Sequence, residues 1–499
     1  MRLTKASLCV GMIVAGSAVW FVVTTLLIGE VPDSLILAPS LLVALVFVSV
    51  FVGTPERDRV RTAGPREVAF AAAAGALAWY AAPILTLSQR ATDAPSGTET
   101  LFFATAGALF TAVVVAIFFA DERPTLTQIA GALLAVLGSA ALLANWERPS
   151  SFSPFLKFPV QEGIMLVAGA VLALGIIAGR RSARVLGLRS ALWLGMAAAA
   201  CVAVVVTLPD ALSALGATAR LWPQLVLTGV ALSTLATGLS GLAQAGGVVR
   251  SVAWLLVAPI AMTALTVVER ITGAYGPVPI VWAGAVGGSV LSLAGLAIVE
   301  TATSRQSDST SMVPPEPVTD SIPPTPRPPV EVAAVVLAAV ALALALASLF
   351  LPAFAATVVG TTEAGAAFSA NWVYSGAESA VGWLAICLAL VALAATVEYD
   401  RILTSRAAVV AVGAGLVSAL MYPLVVATPL HTWTRWIPAE IQQAYGTEYA
   451  RLTFVVAPGL LRLGSVVLAA AVCAALISTI VLRRKADGAA HSQVLKENA

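Results

Sequence analysis

Residues 101–146 read LFFATAGALFTAVVVAIFFADERPTLTQIAGALLAVLGSAALLANW. Two apolar runs flank a charged step, DERPT, at 121–125. A helix needs about twenty apolar residues to cross the hydrocarbon core of a bilayer. Each run is long enough for one crossing, and the step between them marks a turn at a membrane surface.

Working outward from this pair, runs of the same kind recur along the whole chain. The first ten fall near 8–28, 34–53, 67–88, 98–119, 125–145, 160–179, 188–208, 221–245, 249–268 and 279–299. Four more fall near 331–352, 379–397, 406–428 and 461–482. The expectation is an all-α integral membrane protein of about fourteen transmembrane helices. Composition agrees: charged residues make up 11% of the chain and mean hydropathy is +0.93, whereas a soluble surface needs roughly a quarter of residues charged. At the amino terminus, Arg2 and Lys5 precede a run that continues to Ile28, too long for a signal peptide, so it reads as an uncleaved first helix. The preference for Arg over Lys, with abundant Ala and Val, suggests a GC-rich bacterial genome.

Arginines orient the spans. Clusters at Arg57, Arg59, Arg61 and Arg66, at Arg180, Arg181, Arg184 and Arg189, at Arg401 and Arg406, and at Arg483 and Arg484 with Lys485 all follow even-numbered spans. Loops after odd-numbered spans carry scattered basic residues or none. Basic loops stay in the cytoplasm, which puts both termini there and the protein in the cytoplasmic membrane. Residues 301–330 are rich in proline and lack apolar periodicity, and read as a disordered cytoplasmic spacer. It divides a ten-helix unit, 1–300, from a four-helix module, 331–485, which a short cytoplasmic tail, 486–499, completes.

The step and the helix after it carry a pattern: Glu122, Arg123, Pro124, Thr125, Gln128, Gly131 and Gly138. Pro124 suits the first turn of a helix, and two glycines seven apart lie on one helical face and permit close contact. A second version occurs later, with Pro259, Glu269 and Arg270 followed by Gly288 and Gly295. The first repeat has no counterpart of Pro259, and the second carries an insertion, ITGAYGPVPI, before its glycines. Over residues 8–300 this resembles the EamA-like branch of the drug/metabolite transporter superfamily. The resemblance implies two five-helix repeats, near 8–145 and 160–300. Five is odd, so the repeats are inverted, as in many secondary transporters. It also implies a central cavity lined by the first, third and fourth helix of each repeat.

Several residues are candidates for that cavity. Thr234, Thr237, Gly241 and Gln244 form a polar stripe on span 8, which either lines a cavity or bonds a neighbouring helix. Trp79 and Tyr80 lie at mid-depth in span 3, away from the interfacial belts, and either stack on a ligand or fill the core. Trp20 and Trp254 are further candidates. No Asp, Glu, Lys or His falls at the centre of the ten spans, although the small multidrug-resistance relatives of this superfamily carry a Glu in their first helix. Multidrug–proton antiport is therefore disfavoured, and a neutral or lipid-linked cargo fits better. The sequence carries no Walker-type loop, metal-ligand spacing or catalytic constellation, so an enzyme, a cofactor and a metal are not expected. The cysteines, Cys9, Cys201, Cys387 and Cys473, read as packing.

In the carboxy-terminal module two long loops, 353–378 and 429–460, face outward in this topology. The second contains Trp433, Arg435, Trp436 and Glu440, which either anchor an amphipathic segment at the interface or recognise an envelope glycan, headgroup or protein. The expected partners are the bilayer, a small or lipid-linked substrate, and a homodimer mate or an envelope protein, with no nucleic acid. Two functions follow: a transporter with an appended module, or a transporter fold kept as a scaffold for envelope assembly.

Overall fold

The computed structural model describes residues 2–27, 30–90, 97–118, 125–146, 160–261, 263–264, 282–310, 352–362, 367–375 and 449–456, with isolated positions in 336–350 and 383–393. They fall in two units, one of Met1–Pro149 with Ile164–Ser321, the other of Ser150–Gly163 with Ile322–Ala499.

The first unit is helical. Its helices are α1 (Arg2–Leu27), α2 (Asp33–Phe47, prolonged by a π turn to Val52), α3 (Arg57–Ala76), α4 (Ala82–Arg90), α5 (Gly97–Phe118), α6 (Leu126–Trp146), α7 (Val160–Leu186), α8 (Leu188–Arg220), α9 (Trp222–Gly246), α10 (Val248–Ala253) and α11 (Trp282–Thr310). Among the described residues seven helices are long and apolar enough to cross a membrane, α3 and α4 counting as one through the turn between them. Shorter apolar helices occupy Phe102–Val115, Leu126–Leu142 and Val248–Ala261.

Small residues decide how these helices meet. In lipid no hydrophobic force drives helix association, so close backbone approach supplies the dispersion energy. Gly131 of α6 faces the Gly295 carbonyl of α11, and Gly138 faces Gly288 and Ser292 in the antiparallel direction. A hydrogen bond between the Ser139 and Ser292 hydroxyls (3.1 Å) and one from Gln128 Nε2 to Thr303 Oγ1 (2.8 Å) extend the seam. Gly16 of α1 lies against Ala231 and Leu235 of α9, and Gly175 of α7 lies against Ala74 and Ala78 of α3 and its π turn. On the flank, Ser40 Oγ donates to the Leu225 carbonyl (3.2 Å), Thr207 Oγ1 to that of Ser34 (3.2 Å), and Trp193 Nε1 to Ser49 Oγ (2.9 Å).

The arginine-bearing turns gather at one end. α7 passes to α8 through the single residue Gly187 and α9 to α10 through Gly247, both at positive φ. Arg59 reaches Gly187, Arg189 reaches Gly53, and the Glu56 N–H donates to Ser190 Oγ (3.1 Å).

Three local readings of the sequence are revised. The basic stretch after span 2 is helical from Arg57, broken at Gly64 (φ 79°), where Pro65 denies the preceding residue a helical conformation. α6 begins at Leu126, and its cap is a reciprocal pair: the Thr125 N–H donates to Gln128 Oε1 (2.8 Å) and the Gln128 N–H to Thr125 Oγ1 (3.2 Å). Thr125 thus caps the helix; Glu122, Arg123 and Pro124 lie outside the described residues, as do Glu269 and Arg270. α11 continues to Thr310, so 301–310, read as disordered spacer, is helical; the first proline after it is Pro314. The rest of the spacer lies outside the described residues.

In the second unit, the Trp383 ring lies against Gly163, and Trp383, Ile386 and Cys387 are buried. A three-stranded antiparallel sheet, β1 (Pro352–Thr362), β2 (Ala367–Ser375) and β3 (Tyr449–Val456), has the order β2-β1-β3. Ala356 pairs with Trp372 on one side and Val456 on the other. The two outward loops of the sequence reading therefore carry strands, joined by pairing across almost a hundred residues, a relation no local pattern announces. Spans expected at 406–428 and 461–482 lie outside the described residues, as do Trp433, Arg435, Trp436, Glu440 and Cys473.

A side chain on the α6–α11 seam would meet backbone, which cannot yield. Gly138→Val is expected to cost about 1–3 kcal/mol and to lower the thermal unfolding midpoint in nanodiscs. Gly11→Ala is the control: a Cβ there meets nothing within 4 Å, and the midpoint should hold or rise.

Candidate functional site

A cavity of about 70 Å³ opens in the middle of the first unit. Six helical segments wall it: α1 through Ser17, Trp20 and Phe21; the π turn with α4 through Trp79, Pro83 and Thr86; α5 through Thr105; α7 through Leu172; α9 through Leu232 and Leu235; and the α10 segment through Leu255 and Ala258. In the expected numbering of spans these are the first, third, fourth, sixth, eighth and ninth.

Local chemistry puts Trp79 on this wall. Pro83 has no N–H to give to the carbonyl four residues earlier, and the chain answers with a π turn over Leu77–Ala81 in which the Ala82 N–H bonds back to Leu77. Trp79 is buried within that turn, 4% exposed. Beyond it lies a second pocket of about 30 Å³, lined by small residues such as Ala74, Gly75, Gly175 and Gly195 and by Arg180, Ser240 and Gln244. Trp79 lines both spaces and so stands between the central cavity and the smaller pocket that holds Arg180, Ser240 and Gln244.

The lining of the main cavity is almost wholly apolar, and no described residue on it is charged. Its three hydroxyls turn to their own helices: Ser17 Oγ donates to Val14 O (3.2 Å), Thr86 Oγ1 to Ala82 O (2.9 Å) and Thr105 Oγ1 to Phe102 O (3.0 Å). Trp20 is 5% exposed, meets Phe21 edge-to-face at 4.9 Å, and its Nε1 has no hydrogen-bond partner among the described residues.

The sequence candidates separate accordingly. Trp79 and Trp20 line the cavity, and Gln244 lines the second pocket, where its Nε2 donates to the Arg180 carbonyl (3.1 Å). Tyr80, next in the turn, packs partly buried against the core and lines neither space. Thr234 and Thr237 also line neither: their hydroxyls bond back to Val230 (2.7 Å) and Ser233 (2.8 Å), and Gly241 of the same stripe faces Cys9 of α1. The stripe is therefore a helix-contact face that ends in one pocket residue. Pro259 is buried beside the cavity residue Ala258. Trp254 belongs elsewhere, its Nε1 3.4 Å from Glu300 Oε2.

Glu300 marks what the sequence reading missed. Arg250, 9% exposed in the first turn of α10, forms a two-pronged ion pair with Glu300 of α11, with Nε to Oε2 at 2.7 Å and Nη2 on Oε1. The available signal was a lone arginine inside one apolar run and a lone glutamate closing another; nothing local joins them.

No family model matches the sequence, and no curated protein matches it. The fold is similar to a solved structure described only as "Crystal structure of protein", at 18% identity and a TM-score of 0.42, over 61% of this chain and 100% of that one.

Removing Glu300 strands the buried arginine. Glu300→Leu is expected to destabilise by about 3 kcal/mol, while Glu300→Leu combined with Arg250→Met recovers most of the loss. Thermal unfolding of the four proteins of this double-mutant cycle measures both.

Proposed function

We propose that the chain is a secondary transporter that moves a small metabolite or lipid-linked molecule across the cytoplasmic membrane by alternating access. In this reading it has about fourteen spans, both termini in the cytoplasm, and ten of the spans in two inverted five-helix repeats of the EamA-like kind.

The observation that carries the reading is that helices of the first unit pack in pairs at positions related by nearly the same sequence offset, 157 or 159. Gly288 lies 157 positions after Gly131, and Gly295 lies 157 after Gly138. Gly131 packs on Gly295 and Gly138 on Gly288, so exchanging the two halves maps the seam onto itself. Gly175 lies 159 positions after Gly16; its contacts, Ala74 and Ala78, each lie 157 before Ala231 and Leu235, the contacts of Gly16. A two-fold axis in the membrane plane between inverted repeats produces such an exchange, and the cargo site of such a transporter lies on that axis near mid-depth. The cavity occupies the corresponding place, between the first, third and fourth helices of both halves.

Alternating access then has identifiable parts. The seam of α6 and α11 is held backbone to backbone and acts as the fixed contact. Trp79 closes the cavity from the arginine-bearing end, which the arginine asymmetry assigns to the cytoplasm. Its π turn, a local interruption of the α-helical hydrogen-bond ladder, is where a small change of conformation moves a large ring. The second pocket, with Gln244 and Arg180 at its rim, is the next station along that route.

The test is flux. Full-length protein in liposomes is screened against a panel of neutral metabolites and lipid-linked compounds for saturable uptake or exchange. Uptake of one compound is expected, with Trp79→Ala together with Gln244→Ala reducing it at least about tenfold, a loss of roughly 1.4 kcal/mol in transition-state stabilisation. Absence of flux for every compound would overturn transport and leave a scaffold for envelope assembly.

A further inference from the structure

We infer that the central cavity binds an uncharged, slim apolar segment, an aliphatic or isoprenoid chain, bearing one hydrogen-bond acceptor that takes the indole N–H of Trp20. The inference rests on the proposed transport reading for its role but concerns only what the site holds.

Three observations carry it. First, no described residue on the wall is charged, and Leu172, Leu232, Leu235 and Leu255 dominate one side. An ion entering there would lose its hydration and gain no counter-charge, a cost that selects against carboxylates and ammonium groups alike. Second, the three hydroxyls on the wall spend their protons on their own helices, as the distances above record. Third, the Trp20 N–H is buried with no acceptor among the described residues. A buried donor left unsatisfied costs free energy, and indole N–H groups usually find a partner when buried. Thr111 Oγ1 is also without a partner among the described residues, but Thr111 does not line the cavity. A ligand oxygen that accepts from Trp20 removes the penalty; the Trp79 indole on the same wall carries no such penalty, because its nitrogen is not a buried unpaired atom. The cavity, about 70 Å³, is small and almost wholly apolar, which favours a narrow chain over a polar headgroup.

The same chemistry has two sources, a free short-chain compound or the tail of a bilayer-resident lipid. Photo-crosslinking to full-length protein in nanodiscs distinguishes them, with matched aliphatic diazirine probes made as a methyl ester, a carboxylate and a plain hydrocarbon, each in a short and a long chain. Cross-linked peptides are mapped by mass spectrometry at a pH where the carboxylate is ionised. The expected result is saturable labelling of the Trp20 and Trp79 peptides by an ester, with about tenfold less by the carboxylate. Trp20→Phe keeps the aromatic wall but removes the donor, and should lower ester labelling by about tenfold, to the level of the hydrocarbon. Unchanged hydrocarbon labelling of Trp20→Phe reports an intact cavity. The short ester labelling well assigns a soluble cargo; the long ester alone assigns a lipid tail; either upholds the inference. Carboxylate labelling equal to the ester, or an ester-to-hydrocarbon ratio indifferent to Trp20→Phe, overturns it. Capture of the ester by a protein that moves nothing would end the transport reading and spare this one. Flux of an ionic compound with no ester labelling would do the reverse.

Discussion

Close approach of helix backbones is the constraint on which the described membrane unit depends. Within lipid, burying a leucine against another helix gains little over leaving it among acyl chains, so packing must come from surfaces that fit. Glycines provide them at the α6–α11 seam and at the crossings of α1 with α9 and of α7 with α3. The remaining polar atoms at these crossings are serine, threonine and glutamine groups that bond across the interface or back to their own helix. Fitted crossings of this kind leave a void where larger side chains converge, and that void is the cavity.

The cavity's chemistry follows from what membrane depth permits. No described charge lines the cavity: arginines cluster at the turns near Gly53 and Gly187, and Arg250 at the start of α10 pairs with Glu300 of α11. The cavity walls are apolar, with hydroxyls turned to their own carbonyls. The wall departs from helical regularity at the 3-10 turn Trp254–Leu256 and at the π turn Leu77–Ala81 ahead of Pro83, and the π turn carries Trp79 between the centre and the pocket of Gln244. In the proposed transporter, a local backbone irregularity thus becomes the moving partition.

The carboxy-terminal unit follows different physics. Its strands pair β1 centrally between β2 and β3, with Thr- and Val-bearing segments of the kind that favour strands. The sequence reading took these stretches as loops that its topology places outside the cytoplasm. It did not see strands, since a strand's stability resides in a partner, and β3 is far from β1 in the chain.

By itself the sequence determined where the apolar helices run, which turns carry arginine and which glycines can be approached closely. Each of these follows from residues within a turn or two of one another: an apolar run crosses a bilayer whatever its neighbours are, and a glycine lacks a Cβ in any context. Tertiary structure alone decided which way each helix faces. Trp79 and Trp20 reached one cavity, while Thr234 and Thr237, equally plausible as a polar stripe, turned to their own backbone because Gly238 and Gly241 on that face admit α1. Arg250 met Glu300 for the same reason. The rotation of a helix about its axis is set by the surfaces packed against it, and those come from segments distant in the chain.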